Sequence, residues 1–177
     1  VGSLTHVSLV VGALVEVASL VGIHTDEGTA GDGGLSLRGA VKEVEQGAVV
    51  EGAMLNVKNG PIYVGRNAEV MEGSCLRGPI ALCEHAVVNM GTRMYGATTL
   101  GPYCKVGGEV NNVVMMGYSN KAHDGFLGNA VIGEWCNIGG GSTASNLKND
   151  YTEIKLWNYP AHRFLRTGLQ FCGLIMG

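Results

Sequence analysis

Cut every six positions, residues 64–106 read VGRNAE, VMEGSC, LRGPIA, LCEHAV, VNMGTR, MYGATT, LGPYCK and V. The first place is always aliphatic: Val64, Val70, Leu76, Leu82, Val88, Met94, Leu100 and Val106. A 3.6-residue helix would scatter these side chains around its axis, and a strand of period two would not single out every third inward place. A second register, two residues behind, carries small side chains at Ala68, Ser74, Ala86, Thr92, Thr98 and Cys104. One large apolar and one small residue per six is the pattern of a parallel β-helix, whose short strands turn corners where only small side chains fit.

Composition agrees with a solenoid. The 177 residues are 46% hydrophobic and 15% charged, which supports one domain with a continuous core and argues against disorder. Glycine reaches 29 residues without a collagen period, which indicates many tight corners. A net charge of −3 with no lysine or arginine run offers no footprint for nucleic acid or anionic lipid, so neither is expected as a partner. The apolar stretch Val7 to Ile23 contains Glu16, lacks a basic leader and is rich in β-branched residues, which favours strands over a spanning helix. Five cysteines, an odd number without a CxxC pair, suggest neither a zinc ribbon nor a closed disulfide set, and a cytoplasmic protein is expected. Cys104 and Cys136 fall in the small slot and read as buried packing residues.

Along the chain, residues 1–43 read as a cap or early coils and residues 44–177 as the β-helix, begun by Val44 and Val50 and interrupted by a short loop at Lys58-Asn59-Gly60-Pro61. After Val106 the step is lost. It returns as Phe126, Ile132, Ile138 and Ala144, with Ala130, Cys136 and Ser142 in the small slot, so a loop excursion is expected over 107–125. Beyond the polar loop at 146–150, Ile154 to Trp157 suggests a strand pair or arm, and Leu169 to Met176 a final coil. The stop at Gly177 without a polar cap implies an exposed edge strand unless another chain or a further segment covers it.

The motif with chemical content is Lys121-Ala122-His123-Asp124-Gly125-Phe126-Leu127-Gly128-Asn129-Ala130-Val131-Ile132-Gly133. It resembles the K-A-x-H-x-x-(aromatic)-L-G-(D/N)-A-x-I-G stretch of the bifunctional UDP-N-acetylglucosamine pyrophosphorylase/glucosamine-1-phosphate N-acetyltransferase family, in its left-handed β-helix part. The resemblance covers about residues 44–177. It implies a left-handed parallel β-helix, truncated at both ends relative to the family, acetyl-CoA as a substrate, and a homotrimer with sites shared between neighbouring subunits. It also implies magnesium only where a nucleotidyltransferase domain accompanies the helix.

By that resemblance His123 takes the place of the catalytic histidine. An amine attacking a thioester must lose a proton, and imidazole titrates near neutral pH. Asn137 and Asn146 fall on asparagines that face the amino sugar and the base, as carboxamides can both accept and donate. Gly139 and Gly140 fall where a backbone N–H meets the thioester carbonyl. Arg93, with Arg77, Lys105 and Lys121, is a candidate clamp for the sugar phosphate, since charge-assisted hydrogen bonds suit that dianion. Arg93 and Lys121 are the substrate-binding candidates carried forward. Phe126 stands where the family has tyrosine, Asn111 where it has a basic residue, and the coils expected to hold the rest of CoA are missing.

The expected activity is acetyl-CoA-dependent N-acetyl transfer to a sugar phosphate, glucosamine 1-phosphate, in UDP-N-acetylglucosamine synthesis. The alternative is a non-catalytic β-helix that oligomerises or regulates a sugar-phosphate nucleotidyltransferase. A zinc-dependent β-helical hydratase would need histidines close together on adjacent coils, whereas His6, His24, His85, His123 and His162 are dispersed, so no metal site is expected.

Overall fold

The computed structural model describes residues 41–177, with side chains from Val44 onward. The reading of residues 1–40 lies outside the described residues. The chain winds in turns of three short strands each, all parallel. The first turn holds β1 (Val41–Val44), β2 (Val49–Val50) and β3 (Met54–Asn56), and the second β4 (Ile62–Val64), β5 (Glu69–Val70) and β6 (Cys75–Arg77). The third holds β7 (Ile80–Leu82), β8 (Val87–Val88) and β9 (Arg93–Tyr95). The fourth holds β10 (Thr98–Leu100), β11 (Lys105–Val106) and β12 (Glu109–Asn111), and the fifth β13 (Val114–Gly117), β14 (Asn120–Lys121) and β15 (Phe126–Gly128). β16 (Val131–Glu134) opens a sixth turn.

First, second and third strands of successive turns stack into sheets A, B and C, the sides of a prism consistent with left-handed winding. Ile62 pairs with Ile80 and Ile80 with Thr98, an eighteen-residue step made of three hexads. Every aliphatic residue of the 64–106 register points inward and is at most 1% exposed, and the small-slot residues from Ala68 to Cys104 are at most 2% exposed at the corners. Cys104 and Cys136 are buried, and all five cysteines are free. At roughly 25 cal/mol per Å² of apolar surface removed from water, this continuous column is the main cohesive term.

The expected excursion over 107–125 is not there: those residues run through β12, β13 and β14 inside the coil. The six-residue step fails because corners shorten. Val88 to Met94 spans six residues between sheets B and C, but Val106 to Val110 spans four, turned by Gly107 and Gly108 alone. Gly108 sits at φ +75°, and a Cβ at Gly107 would strike the Ala122 carbonyl, so this tight corner requires glycine. The C-to-A corners at Asn112 and Asn129 lose one further residue each, both in the left-handed region that asparagine tolerates. The altered phase also moves the inward place from Phe126 to Leu127, which pairs with Val110 and is 1% exposed, while Phe126 turns outward. Ser142, expected in the small slot, is exposed.

The excursion lies later. After Ala144 the chain leaves the C-to-A corner and forms an antiparallel hairpin of β17 (Lys155–Asn158) and β18 (Arg163–Arg166). It rejoins sheet A as β19 (Ile175–Met176) beside β16. The strand pair read from the sequence is present, and within the stretch read as a final coil the chain forms one short strand, β19, on sheet A.

One corner carries a feature the periodicity does not announce. Where sheet A turns into sheet B, Asn67, His85, Tyr103, Tyr118 and Trp135 all have φ between +50° and +59°. Each donates its backbone N–H to a carbonyl one turn below, as His85 does to Arg66 and Tyr103 to Glu84. The rings of the last four stack nearly parallel, with centroids 4.6 Å apart for His85–Tyr103, 5.4 Å for Tyr103–Tyr118 and 4.7 Å for Tyr118–Trp135.

Candidate functional site

Parallel stacking converts sequence distance into surface columns. On the outer face of sheet C, the registers align Cys75, Arg93, Glu109 and Phe126 in one column. Arg77, Tyr95, Asn111 and Gly128 form the next, and the buried Leu76, Met94, Val110 and Leu127 run between them on the inside. Glu109 accepts from the Tyr95 hydroxyl at 2.5 Å and pairs with the Arg93 guanidinium at 3.5 Å. Donation to Glu109 raises the Tyr95 pKa, because loss of that proton would place two anions side by side. Arg77 and Arg93 share a cavity of about 640 Å³ with Asn56, Asn59 and Tyr95.

His123 occupies the bend between β14 and β15, at the corner of sheets B and C, and is exposed. Its backbone is held from three sides. Asn89 Nδ2 donates to the Ala122 carbonyl at 2.8 Å, the Gly141 N–H donates to the Asp124 carbonyl at 2.9 Å, and Lys121 Nζ donates to the His123 carbonyl at 2.6 Å. The turn above brings Gly140 directly over the imidazole: a Cβ there would lie 3.3 Å from His123 Cβ and 3.5 Å from Cγ. Gly139 and Gly140 are both exposed. His123 and Gly140, seventeen residues apart in sequence, are thus stacked on one corner.

Asn137 is exposed on the outer face of sheet B, bridged to Asn120 below. It lines a cavity of about 380 Å³ together with Lys121, Phe126, Ile138, Ser142 and Ala144. Asn146 lies beyond the far edge of sheet C, where its Nδ2 donates to Asn129 Oδ1 at 2.5 Å. A Cβ at Gly128 would meet both the Phe126 ring and Asn146 Nδ2, so these three residues share one neighbourhood. The two asparagines therefore flank the histidine corner on different faces of the prism.

Lys121 corrects the sequence reading. It was expected to reach a phosphate, but it takes an inward place of sheet B, between Val106 and Ile138, and is 1% exposed. Its ammonium donates to the carbonyls of Gly107 at 2.9 Å and His123 at 2.6 Å. Inward alternation from Asn120 turns it away from the outer faces and toward the cavity of about 380 Å³ that it lines with Ile138 and Ala144. Burial pushes its pKa below the usual lysine range, offset in part by Asp124. Glu109 is a residue of the outer face of sheet C that the linear sequence does not mark. Its position directly after the glycine corner acquires meaning only once the register sets it between Arg93 and Phe126.

Among the described residues no group of three His, Cys, Asp or Glu is placed to hold a metal ion, and no helix is long and apolar enough to cross a membrane. No protein-family profile matches the chain, and no curated protein is similar to it.

Proposed function

We propose that this β-helix is an acetyl-CoA-dependent N-acetyltransferase for an amino-sugar phosphate, glucosamine 1-phosphate, working as a homotrimer. One observation carries the reading: exposed His123 lies directly beneath Gly140 and beside a face bearing Arg93, Glu109 and Phe126. Parallel strands stand about 4.8 Å apart, so the Arg93 rung lies roughly 10 Å below the Phe126 rung. An arginine side chain spans much of that gap, which lets a sugar ring lie along sheet C with its phosphate toward Arg93 and Arg77 and its amine toward His123. Glu109, between them, faces the sugar.

In the proposed reaction the amine nitrogen attacks the thioester carbonyl as His123 removes its proton. The tetrahedral oxyanion is met by a backbone N–H of Gly139 or Gly140, an interaction worth about 2.7–4 kcal/mol where such a donor has been removed in other enzymes. The C–S bond then breaks, the amide forms, and the proton passes from His123 to the departing thiolate. Asn137 and Asn146 lie on different faces, which fits a site completed by a neighbouring copy.

Purified protein incubated with acetyl-CoA and glucosamine 1-phosphate is expected to release free CoA thiol. H123A is expected to lose at least ~100-fold in kcat, the lower range for a general base, with its melting temperature unchanged. Turnover that survives H123A, or wild-type protein that acetylates no amino-sugar phosphate, leaves the non-catalytic solenoid as the reading.

A further inference from the structure

We propose that Lys121 is a positioning residue for His123: an internal ammonium that fixes the backbone from which the imidazole projects. The inference rests on the proposed role of His123, but its structural half stands without it. The inward places of sheet B run Val50, Val70, Val88 and Val106 before Lys121, and Ile138 follows. A cation therefore replaces an aliphatic side chain in one turn of an otherwise apolar column, the turn that carries His123. Burying a charge is costly unless it is fully hydrogen-bonded, so a local break in the hydrophobic pattern calls for a compensating role.

The geometry supplies one. At the glycine corner the turn is two residues short, and Gly107 and Gly108 have no side chains with which to support the bend stacked on them. Lys121 Nζ spans that gap, donating to Gly107 in the turn below and to His123 in its own turn. Both carbonyls sit at the B-to-C corner, so one ammonium joins consecutive turns beneath the imidazole. Asn89 adds a second tie, from two turns below, to Ala122. The bend at 122–124 is thus clamped from the interior, which leaves the outer side of His123 open to a substrate.

Lys121→Met tests this. Methionine has similar length and suits an aliphatic column, but it removes every donor. Hydrogen exchange of the 121–125 backbone is expected to accelerate at least tenfold while residues 64–100 exchange as in wild type. In acetyl transfer, kcat is expected to fall about tenfold with both KM values within twofold, since sub-ångström displacement of a catalytic group acts on the reacting geometry. Unchanged exchange at 121–125, or equal acceleration along the whole solenoid, overturns the proposal. So does a rise in KM for the sugar phosphate at constant kcat, which would mark a substrate contact.

A second variant guards against a folding defect. Lys121→Ala leaves a space that n-propylammonium can fill and 1-propanol can fill only as packing. Recovery of exchange protection at 121–125 with the amine alone supports the clamp, and recovery with both, or with neither, overturns it. Should wild type transfer no acetyl group, the reading of His123 fails, while the exchange experiments still decide what Lys121 holds.

Discussion

Tyr103 makes a sharp test of the aromatic corner, because its backbone and its ring pull in opposite directions. With φ at +57° it occupies a left-handed conformation that costs a bulky L-residue about 1–2 kcal/mol. Its ring recovers this through two contacts, His85 at 4.6 Å and Tyr118 at 5.4 Å, each worth about 0.5–1.5 kcal/mol beyond area burial. Tyr103→Ala removes both contacts and keeps the backbone cost, so a loss of roughly 1–3 kcal/mol is expected. Tyr103→Gly removes the same contacts but relieves the backbone, and should lose about 1 kcal/mol less. Glycine is normally the worse residue by about 0.5–1 kcal/mol in regular structure, so the expected order, wild type then Gly then Ala, inverts the usual one. For a chain of this size 1 kcal/mol corresponds to about 2–4 °C in melting temperature, within reach of thermal or urea denaturation with circular dichroism. Tyr103→Ala at least as stable as Tyr103→Gly would refute the strain argument, and two variants as stable as wild type would refute the stacking argument.

Replacing Arg93 by methionine is expected to raise the KM for the sugar phosphate about tenfold, near the lower end for losing a charged hydrogen bond, with kcat little changed. Steady-state kinetics in both substrates check this, and an unchanged KM moves the phosphate away from the Arg77–Arg93 cavity. Lys121 also predicts a pH dependence. Its folded pKa is lowered, chiefly by burial, with Asp124 opposing. Between that lowered value and the ordinary lysine value of about 10.4 the unfolded chain binds more protons, so stability contributed by this group rises with pH across that window. The difference in unfolding free energy between wild type and K121M, followed by urea denaturation from pH 8 upward, should shift in favour of wild type. A difference flat with pH means that the ammonium is not desolvated.

The fold was legible in the sequence because one physical requirement repeats. Each inward place from Val64 to Val106 must be apolar and each corner must be small, and both demands recur every six residues. Where corners shorten, the repeat arithmetic loses its meaning. A phase shift after Val106 is produced equally by added or by missing residues, and only the pairing of Val106 with Lys121 and of Val110 with Leu127 shows that residues are missing. The same ambiguity put Phe126 in the core, where Leu127 belongs. The aromatic column escaped notice because His85, Tyr103, Tyr118 and Trp135 follow one another at unequal intervals, and because bulky side chains seldom adopt positive φ.

The site was legible to a different degree, and Lys121 shows why. A lysine two residues from a candidate base invites a phosphate, because type and spacing are all that a linear reading has. Direction is decided by alternation, and Asn120, which bridges to Asn137 on the outer face, forces its neighbour inward. Once inward, the same cation that looked like a substrate clamp is turned away from the outer face and donates to two backbone carbonyls. Arg93, one place before the inward Met94, is sent outward by the same rule and keeps the candidacy that Lys121 loses. In a β-solenoid the division between residues that meet a substrate and residues that hold the catalytic frame is therefore one of parity. A corner that loses a single residue, such as the one at Asn112, reverses that parity for whatever is read by period until the corner at Asn129 restores it.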